Sequence, residues 1–219
     1  MIFKKSNIES YKNYDNIDFS KVLLKELIIQ RKKEWYKIFY IEWVFDRFHK
    51  WHETFFKYIR RKIENRFWDK VKVIVGVESD KVVKRKKWRN RPYDAEFLRL
   101  KNVENQEEVD FVFIVNRDIR DLIEDLKYLW IDYLIIPDEY FYNKLILKFF
   151  KKYILPKLKS NWIKVIFSRH KQYKKFGIDD RYVNLHTTDL LEKWWGKIFT
   201  KVRHIIYLIR ESLIAVLNR

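Results

Sequence analysis

Asp46, His49 and His52 fall within one short run, Trp43-Val-Phe-Asp-Arg-Phe-His-Lys-Trp-His52. The run follows an apolar segment with strand character, Lys37–Val44, and precedes an amphipathic helical pattern, His52–Arg66. A helix entered from a strand offers unpaired N–H groups and the positive end of its dipole, which together favour an anion such as phosphate. Two imidazoles three residues apart at that entry can add hydrogen bonds to the same anion. Read blandly, they are surface or packing histidines. Zinc is not indicated, because the chain has five histidines, no cysteine and no third ligand at metal spacing. Two further features carry charge chemistry. Lys84, Lys86 and Lys87 form a basic run after a second apolar segment; such runs are usually solvated faces, but this placement suits polyphosphate contact. Thr187 and Thr188 precede an apolar-periodic stretch, where a helix cap and a phosphate seat coincide.

The elements that must position these residues alternate along the chain. The pattern predicts strands over Lys37–Val44, Val71–Val77, Val109–Val115, Ile131–Ile136 and Ile163–Ser168. It predicts helices over Phe19–Lys33, His52–Arg66, Asp94–Gln106, Ile119–Tyr128, Phe141–Tyr153 and Thr188–Leu217. Short β-rich runs separated by helices specify βαβ units and a parallel sheet covered on both faces, with ligands at the carboxyl ends of the strands. The expected fold is α/β: a Rossmann-like doubly wound five-stranded parallel sheet with an N-terminal helical extension and a long C-terminal helix. Residues 1–35 form the extension, with a polar leader over 1–18, and 36–219 the main domain; Lys171–Asp180 reads as a loop inserted after the fifth strand.

At 219 residues the chain is long enough for a substantial core. A net charge of +18 favours anionic partners, whether nucleotides, phosphorylated metabolites, nucleic acid or an acidic membrane surface. No apolar run approaches the ~20 residues of a membrane span, and the first residues lack the apolar centre of a signal peptide, so a cytoplasmic protein is expected. The last helix spaces Leu190, Leu191, Ile198, Val202, Ile205, Ile206 and Ile209 between Lys and Arg, a face suited to packing on the domain or on a second subunit rather than on a membrane.

The run Phe45-Asp46…His49…His52 resembles the motif of the HxGH nucleotidyltransferases, the superfamily of the cytidylyltransferases and related adenylyltransferases. Further segments resemble the same family in order: Val73–Asp80 its second strand, Lys84–Lys87 its lysine segment, Arg99 with Val109-Asp110 its third-strand pairing, Ile131–Tyr140 its fourth strand and loop, and Arg181–Leu190 its final phosphate-binding helix start. The resemblance implies transfer of a nucleotidyl group, CMP from CTP, to a phosphorylated alcohol or sugar with release of pyrophosphate, and Mg²⁺ accompanying the nucleotide. The segments ending in Thr-Thr-Asp-Leu are similar to the glycerol-phosphate, choline-phosphate and ethanolamine-phosphate cytidylyltransferases; the third-strand segment is also similar to heptose-phosphate adenylyltransferases, which keeps ATP open. By the same resemblance His49, His52, Lys84 and Arg181 are catalytic, and Phe45, Asp46, Lys86, Lys87, Asp138, Arg169, Thr187 and Thr188 bind nucleotide. Arg169 and Arg181 compete for the phosphate-binding role, with Arg181 favoured. A homodimer is expected, and nucleic acid is not a partner in this reading. The competing reading is a catalytically inactive basic module that meets nucleic acid or a membrane surface.

One departure from the family is systematic. Trp43, Trp51, Trp68, Trp88 and Trp130 stand where the family commonly has glycine, and Trp162, just before the fifth predicted strand, fits the same pattern. The chain holds three glycines where ~7% usage would give roughly 15, and it holds nine tryptophans. UGA codons written as Trp but read as Gly in the source would make the shortage and the excess one fact; the bland alternative is a Trp-rich core. An indole at Trp51 fills space that glycine leaves open to a ligand.

Overall fold

A computed structural model describes residues 17–68, 70–87, 90–117, 121–137, 147–148 and 150–168. The element order is α1 (Ile17–Lys33), β1 (Lys37–Trp43), α2 (Lys50–Phe67), β2 (Val71–Glu78), α3 (Asp80–Lys86), α4 (Glu96–Glu104), β3 (Phe111–Val115), α5 (Leu122–Tyr128), β4 (Tyr133–Pro137), a π-helical turn (Phe150–Ile154), α6 (Leu155–Ser160) and β5 (Lys164–Ser168). The strands form one parallel sheet in the order β3-β2-β1-β4-β5.

Alternation along β1 explains the two-sided core. Phe39, Ile41 and Trp43 face one layer, where they meet Phe55, Phe56, Ile59 and Ile63 of α2 together with Val73, Val75 and Val77 of β2. Ile38 and Tyr40 face the other, against Leu24 and Ile28 of α1, Leu126 of α5 and Leu158 of α6. Both faces being covered, the strands read as nearly continuous apolar runs. The architecture is the Rossmann-like α/β fold that the sequence specifies, with the N-terminal helix packed on the sheet.

The predicted and observed spans differ in ways that have physical causes. α2 starts at Lys50 rather than His52, because His49 caps it. β3 starts at Phe111 rather than Val109, and the preceding Asp110 is turned to another use. Its carboxylate accepts from the Val73 N–H at 2.8 Å and from Lys72 Nζ at 2.7 Å, and pairs with Arg60 at 2.8 Å. Asp132, before β4, does the same for β1, accepting from the Ile38 N–H at 2.8 Å and from Lys32 Nζ at 2.9 Å. Each aspartate closes a backbone donor at the amino-terminal edge of the neighbouring strand, away from the ligand edge. Lys84, Arg85 and Lys86 form the last turn of the short helix α3 and Lys87 is its C-cap; Ser79 caps the start, its Oγ accepting from the Val82 N–H at 3.2 Å. α6 falls outside the predicted helices. The predicted helix Phe141–Tyr153 lies largely outside the described residues, as do the leader, the 171–180 insertion and the C-terminal helix.

Candidate functional site

In a doubly wound sheet the ligand crevice opens where consecutive strands leave in opposite directions. Here β2 and β3 lie on one side of β1 and β4 and β5 on the other, so the switch point is at the carboxyl end of β1. The segment that leaves there carries Phe45, Asp46, His49 and His52.

The two histidines hold the helix entry between them. His49 is the N-cap of α2; its Nδ1 accepts from the Trp51 N–H at 3.3 Å, and the His52 Nδ1 accepts from the His49 N–H at 3.2 Å. This is a capping box with imidazoles in both roles. With Nδ1 accepting, each neutral ring carries its proton on Nε2, so each presents a donor on its other side. The ring centroids are 4.3 Å apart. His52 is buried, stacked on Phe48 at 5.1 Å and flanked by Phe45 at 5.6 Å.

The turn that leads into the cap has an unusual backbone. Phe45 and Arg47 both have positive φ, 53° and 51°, a conformation that persists in bulky residues only where the surroundings fix it. The fixing comes from residues 91–99. The Asp46 carboxylate accepts from the N–H groups of Tyr93 and Asp94 at 2.9 and 3.0 Å and pairs with Arg91 at 2.7 Å, with both side chains of that pair buried. Asp94 accepts from the Arg47 N–H at 3.0 Å. The fully buried Arg99 donates to the carbonyls of Val44 (2.6 Å) and Asp94 (2.9 Å) and pairs with Asp80 at 2.7 Å. One arginine thereby ties the exit of β1 to the start of α3.

The lysines leave the same edge of the sheet, since β1 and β2 are parallel neighbours with Trp43 opposite Val77. Lys86 is buried and pairs with Glu78, the last residue of β2, at 3.0 Å. Lys84 is exposed and Lys87 half-buried. Asp138, Arg169, Arg181, Thr187 and Thr188 lie outside the described residues. Among the described residues no group of three or more His, Cys, Asp or Glu is placed to hold a metal ion, and no helix is long and apolar enough to cross a membrane.

The tryptophans of the motif occupy the space beside the imidazoles. Trp43 and Trp51 meet edge to face at 4.9 Å, and their rings lie 6.1 and 5.3 Å from that of His52. Both are buried, and Trp51 also stacks on Phe55 at 5.6 Å.

Sequence reasoning missed the bracing role of Arg91 and the Glu78–Lys86 pair. Buried ion pairs leave no periodic trace in a sequence, and Arg99 was visible only through the family resemblance.

A second charged cluster sits on the opposite face of β1. Arg117 pairs with Glu42 and Asp125, Asp125 also accepts from Lys21 Nζ at 2.9 Å, and Tyr40 Oη donates to Glu42 at 2.6 Å. Burial, reinforced by Glu42, pushes the Tyr40 phenol well above its ordinary pKa. Burial acts to lower the Arg117 pKa, but Glu42, Tyr40 and Asp125 outweigh it and the net shift is upward. Gly76 makes room for this cluster: a Cβ there would collide with the Tyr40 hydroxyl and the Val115 side chain.

No family model matches the chain, and no curated protein sequence matches it. Among solved structures, the chain is similar to the lipopolysaccharide core biosynthesis protein from Thermoplasma volcanium GSS1, at 18% identity and a TM-score of 0.39, over 61% of this chain and 96% of that one.

Proposed function

We propose that the protein is a nucleotidyltransferase, with CTP as the favoured donor and ATP the alternative, acting on a small phosphorylated alcohol or sugar. One observation carries the reading: a reciprocal pair of imidazoles caps an 18-residue helix at the switch point of a parallel sheet. That arrangement turns two Nε2–H donors outward at the positive end of the helix, where anionic ligands of this architecture bind.

In the proposed reaction a phosphate oxygen of the acceptor attacks the α-phosphorus of the nucleotide in line. A new P–O bond forms, the bond to the β-phosphate oxygen breaks, and pyrophosphate leaves. His49 and His52 donate to the phosphate oxygens as charge builds in the transition state. Lys84, Lys87 and Arg181 are assigned to the leaving pyrophosphate, with Lys86 reaching it only by sharing its ammonium with Glu78. Asp46 acts by holding the turn rather than by touching substrate. Catalysis is then positioning and charge stabilisation, which suffice for phosphoryl chemistry of this kind. Mg²⁺ enters bound to the nucleotide's phosphates.

A second reading, an inactive basic binding module, draws on the indoles of Trp43 and Trp51 packed against His52. Calorimetric titration of a Trp43→Gly/Trp51→Gly/Trp88→Gly protein with CTP, ATP and RNA separates the two. Nucleotide binding lost on His52→Ala supports the transferase; RNA binding that weakens steeply with salt, without nucleotide affinity, supports the module.

A further inference from the structure

Five helix-to-strand junctions precede the five strands, and four of them contain a tryptophan with positive φ: Trp35 (68°), Trp68 (59°), Trp130 (52°) and Trp162 (61°). Three of these junctions share one hydrogen-bond pattern. The Trp35, Trp130 and Trp162 N–H groups donate to Lys32, Lys127 and Lys159 at 3.0 Å each, and the N–H groups of the next residues, Tyr36, Ile131 and Ile163, donate to Arg31, Leu126 and Leu158 at 3.1, 3.0 and 2.9 Å. That is the Schellman ending, and its left-handed position is normally filled by glycine. Trp68, with ψ at −156°, sits in a region of backbone space essentially reserved for glycine. The remaining junction, from α4 to β3, passes through a right-handed Asn105 and has no tryptophan.

The side chains make a second, separate observation. These indoles are 83%, 80%, 53% and 90% exposed, although Trp is highly buried on average. They bury little surface, and they occupy the backbone conformation that a branched or bulky residue tolerates least.

We infer that the protein made in its source cell carries glycine at positions 35, 68, 130 and 162, each specified by a UGA codon that is read there as glycine and has been written as tryptophan. Trp35 joins the set on structure alone, since the family motifs did not reach it. The same decoding at 43 and 51 removes the two indoles packed around His52 and makes room for a ligand beside the imidazole pair. That consequence, unlike the assignment of the four junctions, rests on the nucleotidyltransferase reading.

The test is peptide mass spectrometry of the protein isolated from its source cells, with the codons read from its transcript. Glycine masses and UGA codons at all four junctions are expected; a tryptophan mass or a UGG codon at any of them overturns the inference. A recombinant pair supplies an independent readout. Replacing all four junction tryptophans by glycine raises Tm by roughly 5–10 °C, whereas replacing them by alanine gives a much smaller rise, because alanine keeps the left-handed penalty. Equal Tm values for the two variants would contradict the assignment. Neither measurement involves nucleotide, so the outcome is independent of whether pyrophosphate is released.

Discussion

His49 and His52 cap one another: the amide of His49 donates to the ring of His52, while the ring of His49 closes an amide of the next turn. The rings are structural, and in the proposed reaction they also donate to phosphate; substitutions can separate the two roles. Asparagine is among the best N-cap residues, whereas alanine at an N-cap costs about 0.5–2 kcal/mol. His49→Asn is expected to leave the urea midpoint nearly unchanged while lowering nucleotidyl transfer about 10²–10³-fold, the usual cost of one preorganised donor. His49→Ala is expected to lose both. Activity retained by His49→Asn would assign the ring to capping alone.

Asp46 carries a different prediction. It holds three groups of the 91–94 segment against the turn after β1, and its partner Arg91 is buried. Removing one member of a buried pair typically costs about 3–5 kcal/mol. Asp46→Ala is therefore expected to lower the denaturation midpoint sharply, and Asp46→Ala/Arg91→Met to recover part of the loss. Loss of activity at unchanged stability would instead make Asp46 a group that touches substrate.

The charged cluster behind β1 predicts an alkaline limit. Tyr40 is held neutral by burial, and its pKa in the folded protein lies well above the ordinary value of 10.0. Above that ordinary value the unfolded chain releases the phenol proton and the folded chain retains it, so the unfolded state binds fewer protons and stability falls as pH rises. Its contribution is fully present below pH ~10. Urea titrations from pH 8 to 11 should show a shallower decline for Tyr40→Phe than for the parent, even though the variant is less stable at pH 8 through loss of its bond to Glu42. Parallel declines would mean that the phenol is not sequestered.

The junction tryptophans predict stabilisation by an apparently severe truncation. A left-handed L-residue costs about 1–2 kcal/mol, more than the ~0.4–1 kcal/mol that glycine's extra freedom in the unfolded chain removes. Trp162→Gly alone, at the most exposed of the four positions, should raise the urea midpoint, and Trp162→Ala should not match it.

The sheet was legible because the central strands β1 and β2 are buried on both faces, which leaves apolar runs such as Val73–Val77, and because the helices between the strands keep their own period. The helix α3 was not legible: it is seven residues long, too short to display a period, and its lysines mimic a solvated run until Lys86 is seen paired with Glu78. Asp110 and Asp132 stand out in the sequence only as members of strand segments that resemble the family; they close strand donors at the opposite edge, a function that depends on register and so cannot be read along one chain. The spacing of His49 and His52 marks them as candidates, but their reciprocal capping depends on where the helix begins, the least certain boundary in any sequence. The bracing of the turn by Arg91 and Arg99 links residues about fifty positions apart and has no local pattern at all.

Pyrophosphate release by the Trp43→Gly/Trp51→Gly/Trp88→Gly protein decides whether the chain transfers nucleotidyl groups. It should be supplied with CTP or ATP, Mg²⁺ and a panel of phosphorylated alcohols and sugars. Acceptor-dependent release that falls about 10²–10³-fold in His49→Asn and His52→Ala is the predicted result. Nucleotide binding without release for any acceptor, or release indifferent to both histidines, would contradict it.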